Sequence, residues 1–295
     1  MTNVVMELVN KKIDGLGYVI VVHTTKGGAG KTTTATNLAA NLSSKGFSVQ
    51  AIDIDVQNNT ATTCESYFAK YMQPGFGRIK TKSSPIIVDS NSYDKMSNNL
   101  VRSLVDKKAK YHNEDSVIKV TAPVELLNEL QYLKQENDFV IIDTPGIQNP
   151  FINQLVVLSD LTIIPVVPSN YDIQSLTGFV ASINNTARQL NVDASQFPLT
   201  TLLNMVPKND SIARELRELL NDNDLPCYNT IIANRKFYRE ITKTHSPYFK
   251  GPKKFTEPCV IEQDELLEEI FYFLNHKSMP ETTNINQNID DETVE

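Results

Sequence analysis

Seven residues, Lys26-Gly27-Gly28-Ala29-Gly30-Lys31-Thr32, bring together two lysines, three glycines and a hydroxyl. Glycines let successive main-chain N–H groups turn toward one point. A helix that starts there adds the positive end of its dipole, so a strand, a glycine loop and a helix in that order make an anion site. Gly30-Lys31-Thr32 is the ending of a phosphate loop, in which Lys31 reaches the β and γ phosphates and the Thr32 hydroxyl coordinates Mg²⁺. The glycine usual five residues before Gly30 is missing. Thr25 stands in its place, followed by Lys26. The glycines alone would equally suit a plain turn; Gly-Lys-Thr directly after an apolar strand is what favours phosphate.

A nucleotide site also needs a carboxylate to hold metal. "FVIIDTPG" supplies Asp143 after four apolar residues and before a turn with Pro145 and Gly146, the Walker-B arrangement in which an Asp orients Mg²⁺. "AIDIDVQNNT" places Asp53 and Asp55 on alternate positions of a strand read as Ser48–Asp55, hence on one face near its carboxyl end. Ligands bind at that end in open parallel sheets.

These side chains need a frame. "YVIVVH" (18–23), "SVQAIDID" (48–55), "FVIID" (139–143), "LTIIPVV" (161–167) and "LTTLLNMV" (199–206) read as buried strands. Helical stretches lie between them: 32–45, ending at Gly46, then 124–135, 173–189 and 211–221. Alternation of this kind predicts an α/β fold, a single doubly wound, mostly parallel sheet with helices on both faces. Residues 60–122 are polar and broken by Pro74-Gly75, with a weak strand at "PIIVDS" and a helix near 96–110. Residues 1–17 are a short lead-in with a helical turn around 4–12.

The bulk numbers fit this frame. Within 295 residues, 40% hydrophobic and 21% charged content are ordinary for a soluble globular protein. No apolar run approaches the roughly 18–20 residues of a membrane span, and Met1–Gly17 lacks a signal-peptide layout. Cys64, Cys227 and Cys259 are odd in number and lack CxxC spacing, which points to reduced thiols in a cytosol-like compartment. Of the net charge of −7, five units come from Glu281, Asp290, Asp291, Glu292 and Glu295, in an acidic segment (278–295) whose composition predicts disorder.

Lys26 to Thr32 fits the KGGxxK[ST] deviant Walker A loop and so resembles the ParA/MinD family of dimeric ATPases. "DIDVQNNT" is similar to that family's DxDPQGN segment, with Val56 and Asn58 as departures, and "DTPG" to its Walker B. The resemblance covers most of 18–275. It implies one P-loop ATPase domain over 18–277, with 60–122 as a variable segment. It further implies ATP and Mg²⁺ as cofactors and an ATP-sandwich homodimer in which Lys26 reaches the partner's phosphates, acting in trans like an arginine finger. Gly27, Gly28, Ala29, Gly30, Lys31, Thr32 and Thr33 would hold the nucleotide phosphates. Asp55 would orient the attacking water, Asp53 and Asp143 would support the metal with Thr32, and Asn204 would contact adenine.

Family members differ in the surface on which they assemble. "RKFYREITKTHSPYFKGPKK" (235–254) carries seven bases against the single acid Glu240, interleaved with aromatic residues such as Phe237 and Tyr238. Such a segment suits non-specific contact with DNA phosphates, with Arg235, Lys236, Arg239 and Lys243 foremost. A solvated face around core aromatics would have the same composition. The alternative, a MinD-like membrane helix, would have to be 261–275, whose polar side holds Glu262, Asp264, Glu265, Glu268 and Glu269; anionic lipid would repel it, so it reads as a helix packed on the core. Cysteines are not placed for an iron–sulfur ATPase, the tail has no tyrosine for a tyrosine kinase, and "NMVPKND" is not a guanine motif. A P-loop metabolic ligase would use the same loop without needing Lys26 in trans. The resemblance therefore points to a cytoplasmic, nucleoid-associated ParA-type partition ATPase with no N-terminal helix-turn-helix and no membrane. A ParB-like centromere-binding protein or cargo adaptor would stimulate its hydrolysis.

Overall fold

The structure, a computed structural model, describes residues 16–55, 60, 79–83, 122–168, 173–193, 198–207, 211–235, 238 and 258–276. Their elements run β1 (Tyr18–Val22), α1 (Lys31–Ser44), β2 (Val49–Asp53), β3 (Ile79–Ser83), α2 (Ala122–Glu136), β4 (Phe139–Asp143), α3 (Pro150–Leu158), β5 (Leu161–Val166), α4 (Ile173–Leu190), β6 (Leu199–Val206), α5 (Ser211–Asp222), β7 (Ile232–Ala233) and α6 (Pro258–His276). The strands form a seven-stranded sheet ordered β3-β2-β4-β1-β5-β6-β7, and every pairing is parallel. The lead-in turn, the strand at "PIIVDS", the helix near 96–110, Val56, Asn58 and the acidic tail lie outside the described residues.

Period-two alternation sorts the strand side chains onto two faces. Tyr18, Ile20, Val22, Val49, Ala51, Phe139, Ile141, Leu161 and Ile163 join a core under α1 and α6. Val19, Val21, Ile52, Val140, Ile142 and Ile164 join the core under α3, α4 and α5 on the other face. Both faces are covered, so the strands read as unbroken apolar runs. β6 breaks the alternation: Leu203 and Val206 lie on the same face, because Met205 has a φ of 56° and the register with β7 shifts between Asn204 and Val206.

Helix α1 is buried from Thr34 to Ser43, held between the sheet and α6. It stops where a left-handed residue is tolerated, at Gly46 (φ 96°). There Gly46 N–H donates to the Ser43 carbonyl (2.9 Å) and Phe47 N–H to that of Leu42 (3.2 Å), a Schellman ending. Helix α6 begins at Pro258, three residues before the sequence expectation, and buries Leu266, Leu267, Ile270 and Leu274 as expected. Its acidic side departs from expectation. Glu262 is buried, and Glu269 turns inward to accept the N–H groups of Asn229 (2.7 Å) and Thr230 (2.6 Å).

Candidate functional site

The chemistry-bearing residues converge at the carboxyl ends of β1, β2, β4 and β6. After β1 the chain passes through Gly28 (φ 73°) and Gly30 (φ 90°) into the first turn of α1. A Cβ at Gly27 or Gly28 would meet no atom within 4 Å, so the loop leaves an open cradle beside its own main chain. Gly30 is closed in instead: a Cβ there would collide with the Asn204 amide. The buried Asn204 donates to the Ala29 carbonyl (2.8 Å), and its oxygen accepts Met205 N–H (3.0 Å). Asn204, expected at adenine, thus braces the phosphate loop from beneath.

Lys31 Nζ lies 3.4 Å from the Lys26 carbonyl, and a Cβ at Gly146 would come within 3.2 Å of it. Gly146 thus lets the Walker-B turn pass close over the lysine, where a Cβ would press on its ammonium. Burial pulls the Lys31 ammonium below its usual range, while Asp143 and Asp55 pull it back up. Lys26 is half-buried at the rim of the loop.

The carboxylates are adjacent, because Asp53 and Asp143 are register partners at the ends of β2 and β4. Asp143 is 1% exposed and accepts on Oδ2 from the hydroxyls of Thr32 (2.7 Å) and Thr60 (2.7 Å), whereas its Oδ1 is buried without a partner. Burial pushes its carboxyl up to about 7, opposed by the Thr60 and Thr32 hydroxyls; nearby Asp53 adds to the rise and Lys31 subtracts from it. Asp53 is fully buried and accepts the N–H groups of Asp55 (2.9 Å, Oδ1) and Thr60 (2.8 Å, Oδ2). The expectation that Asp53 and Asp55 share a strand face does not hold. Strand β2 ends at Asp53, so Asp53 anchors the following turn and the half-buried Asp55 stands beyond it.

Two residues of this site escaped the sequence reading. Thr60 is one. His23 is the other: fully buried just past β1, it packs against Phe179 (ring centroids 4.8 Å apart). Its Nδ1 lies 2.7 Å from Thr144 Oγ1, and that hydroxyl donates to the Val22 carbonyl (2.9 Å), so Nδ1 carries the proton in the pair. Burial, with Lys31 close by, lowers His23 to about 3 and keeps it neutral. Thr25 Oγ1 lies 3.2 Å from Ser175 Oγ, tying the loop to the first turn of α4.

The basic segment is described only at Arg235 and Tyr238. The Arg235 guanidinium is committed to the buried Glu262, with Nε at 2.8 Å and a second nitrogen at 2.7 Å. Tyr238 is 6% exposed and donates its hydroxyl to Glu262 (2.9 Å), so it belongs to the core and not to an aromatic surface. Lys236, Arg239 and Lys243 lie outside the described residues. Among the described residues no helix is long and apolar enough to cross a membrane.

Against this geometry, the family model described as an AAA domain matches residues 17–196. The chromosome partitioning protein ParA of Myxococcus xanthus is 26% identical over 218 residues, covering 69% of this chain and 70% of its own. A putative plasmid partition protein of Borrelia burgdorferi B31, bound to AMPPNP, has a TM-score of 0.55 at 19% identity, over 88% of this chain and 99% of its own. Cobyrinic acid a,c-diamide synthase of Mycobacterium smegmatis, with ADP and magnesium, has a TM-score of 0.57 at 14% identity, over 90% and 98% respectively. At these identities the two structures share the fold with this chain, including its parallel sheet.

Proposed function

The chain belongs to the ParA/MinD family of P-loop ATPases, and from that premise we propose that it is a partition or positioning ATPase working as an ATP-dependent dimer on DNA. One observation carries the reading: the open glycine cradle, Lys31, Thr32 and the paired strand-end carboxylates all meet at one end of the sheet. The residues fit a magnesium nucleotide. Thr32 spends its proton on Asp143 and so keeps its oxygen lone pairs for a cation, while Asp143 Oδ1 is a buried acceptor still to be satisfied. Magnesium, when bound, neutralises charge on the β and γ phosphates.

The chain's own residues do the rest. Main-chain N–H groups of Gly27 to Thr33 and the start of α1 receive the phosphates. Lys31 exchanges the Lys26 carbonyl for a phosphate oxygen. Asp55, held by Asp53 through its main chain, stands beyond the end of β2 on the phosphate-loop side of the sheet, where its carboxylate orients the attacking water. Lys26, at the loop rim, supplies positive charge to a second copy's nucleotide, which couples hydrolysis to dimerisation. The DNA surface is assigned to Lys236, Arg239 and Lys243, since Arg235 is occupied by Glu262. A ParB-like or cargo-bound partner then stimulates hydrolysis and release.

Retention on random-sequence duplex DNA with ATP, ADP or no nucleotide tests this, with anionic vesicles in parallel. ATP-specific retention on DNA is the expected result. Lys31→Ala abolishes it, whereas Asp55→Ala keeps ATP binding, dimerisation and retention but loses turnover by at least about 100-fold. Normal hydrolysis by Asp55→Ala would remove Asp55 from its role. The likeness to a diamide synthase favours a second reading, a metabolic ligase. In a ligase Lys26→Ala would leave turnover intact, and ATP would not dimerise the chain.

A further inference from the structure

Thr60 is the first described residue after the Asp55 turn, and it makes two hydrogen bonds of different kinds to two different strands. Its N–H donates to Asp53 Oδ2 at the end of β2 (2.8 Å), and its hydroxyl donates to Asp143 Oδ2 at the end of β4 (2.7 Å). The residue is fully buried. On Asp143 the same oxygen already accepts the hydroxyl of Thr32 from the phosphate loop. Two donors therefore hold one oxygen in place, and the partnerless Oδ1 is what the carboxylate has left to offer. A carboxylate held by a single hydroxyl can tilt about its Cβ–Cγ bond with that donor following it; held by two donors from different elements, its plane cannot turn without stretching a charge-assisted bond.

We propose that Thr60 is a positioning residue of the metal–nucleotide site, fixing through its hydroxyl the plane in which Asp143 would present its remaining oxygen toward magnesium, and through its N–H the Asp53 carboxylate that holds the Asp55 main chain. This deepens the nucleotide reading of the site and rests on it. Thr60 does not touch the metal. It acts through Asp143, so its hydroxyl matters to metal affinity and not to the phosphate loop itself. Losing a hydrogen bond to a charged group shifts an equilibrium constant by about one to two orders of magnitude.

Equilibrium binding of a fluorescent ATP analogue, followed by anisotropy in EDTA and then across a Mg²⁺ titration, reads this directly. Wild type, Thr60→Val and Thr60→Ser are compared, with Thr60→Ala as the alternative hydroxyl-free variant should the valine not fold. Measured relative to its own affinity in EDTA, Thr60→Val is expected to need at least about tenfold more Mg²⁺ than wild type for half-maximal enhancement. Thr60→Ser keeps the hydroxyl and is expected to restore the wild-type Mg²⁺ midpoint. An unchanged midpoint in the hydroxyl-free variant, or one shifted equally in Thr60→Ser, would overturn the assignment while leaving the nucleotide reading in place. Failure of the wild type to bind the analogue under any condition would instead remove the nucleotide reading, and this inference with it.

Discussion

Asp143 bears the electrostatic cost of the site: a carboxyl 1% exposed, with one oxygen unpartnered, pushed up to about 7. A carboxyl raised this way holds its proton in the folded chain after the unfolded chain has released it. Its contribution to stability therefore declines as pH rises from the ordinary value of 3.8 to about 7. His23 runs the other way. Its imidazole stays neutral down to about 3, while the unfolded chain takes up a proton below 6.5, so its contribution is lost as pH falls below 6.5. The two slopes oppose each other between about pH 4 and 6.5. Asp143→Asn removes one and leaves the other. In EDTA without nucleotide the variant should melt several degrees above wild type at pH 8 and fall more steeply on acidification below 6.5. A lower melting temperature than wild type at pH 8 would contradict the burial cost assigned to Asp143. The sequence exposed Asp143, Lys31 and Thr32 because each sits in a local motif. It could not expose Thr60 or His23, whose partners Asp143 and Thr144 are 83 and 121 positions away and become neighbours only when β1, β2 and β4 align.

At the scale of elements, the strands announced themselves because parallel strands buried on both faces are apolar runs. Of the expected strands, β4 and β6 fall at their expected bounds, 139–143 and 199–206. Helix α3 was not legible by periodicity: "PFINQLVVL" is apolar nearly all round and reads as well as a strand. Its one local signal was the cap, Asn149 accepting Ile152 N–H (2.9 Å) with Pro150 directly after it. Strand β3, "IKTKS", which ends the sheet among the described residues, lacks the apolar run that marked the other strands, because lysines interrupt it in sequence. The basic segment misled composition in a different way, since Arg235 and Tyr238 are anchors to α6. Arg235→Ala would leave Glu262, 8% exposed, without its counter-charge; with the arginine partly exposed, a cost of about 1–3 kcal/mol follows in urea unfolding. Adding Glu262→Gln should recover most of that loss, because an amide needs no counter-ion. If the double variant were no more stable than Arg235→Ala, the pair would not be the anchor. The same coupling means that lost DNA retention in an Arg235 variant would report folding as well as contact, so Lys236, Arg239 and Lys243 are the cleaner positions.

At the scale of the whole molecule, the proposed function asks an acidic protein to hold a polyanion. The net charge is −7, and residues 278–295 carry five acids and no base, so removing them leaves −2. The proposed DNA contact is local: each Lys or Arg at a phosphate releases counter-ions, and the steepness of the salt dependence counts those contacts. The acids after Lys277 act instead through a field that salt screens, with a Debye length of about 10 Å at 0.1 M and about 3 Å at 1 M. Truncation after Lys277 should therefore strengthen ATP-dependent retention on duplex DNA several-fold near 50 mM salt. The advantage should shrink steadily as salt rises and vanish toward about 0.5 M, where long-range repulsion no longer reaches the duplex. Affinity measured for full-length and truncated protein across one salt series checks this. An advantage that persisted undiminished at high salt would mean that these acids compete by direct contact with the basic segment. A truncated chain that bound DNA more weakly would mean that they assist the dimer, and the charge argument would fail.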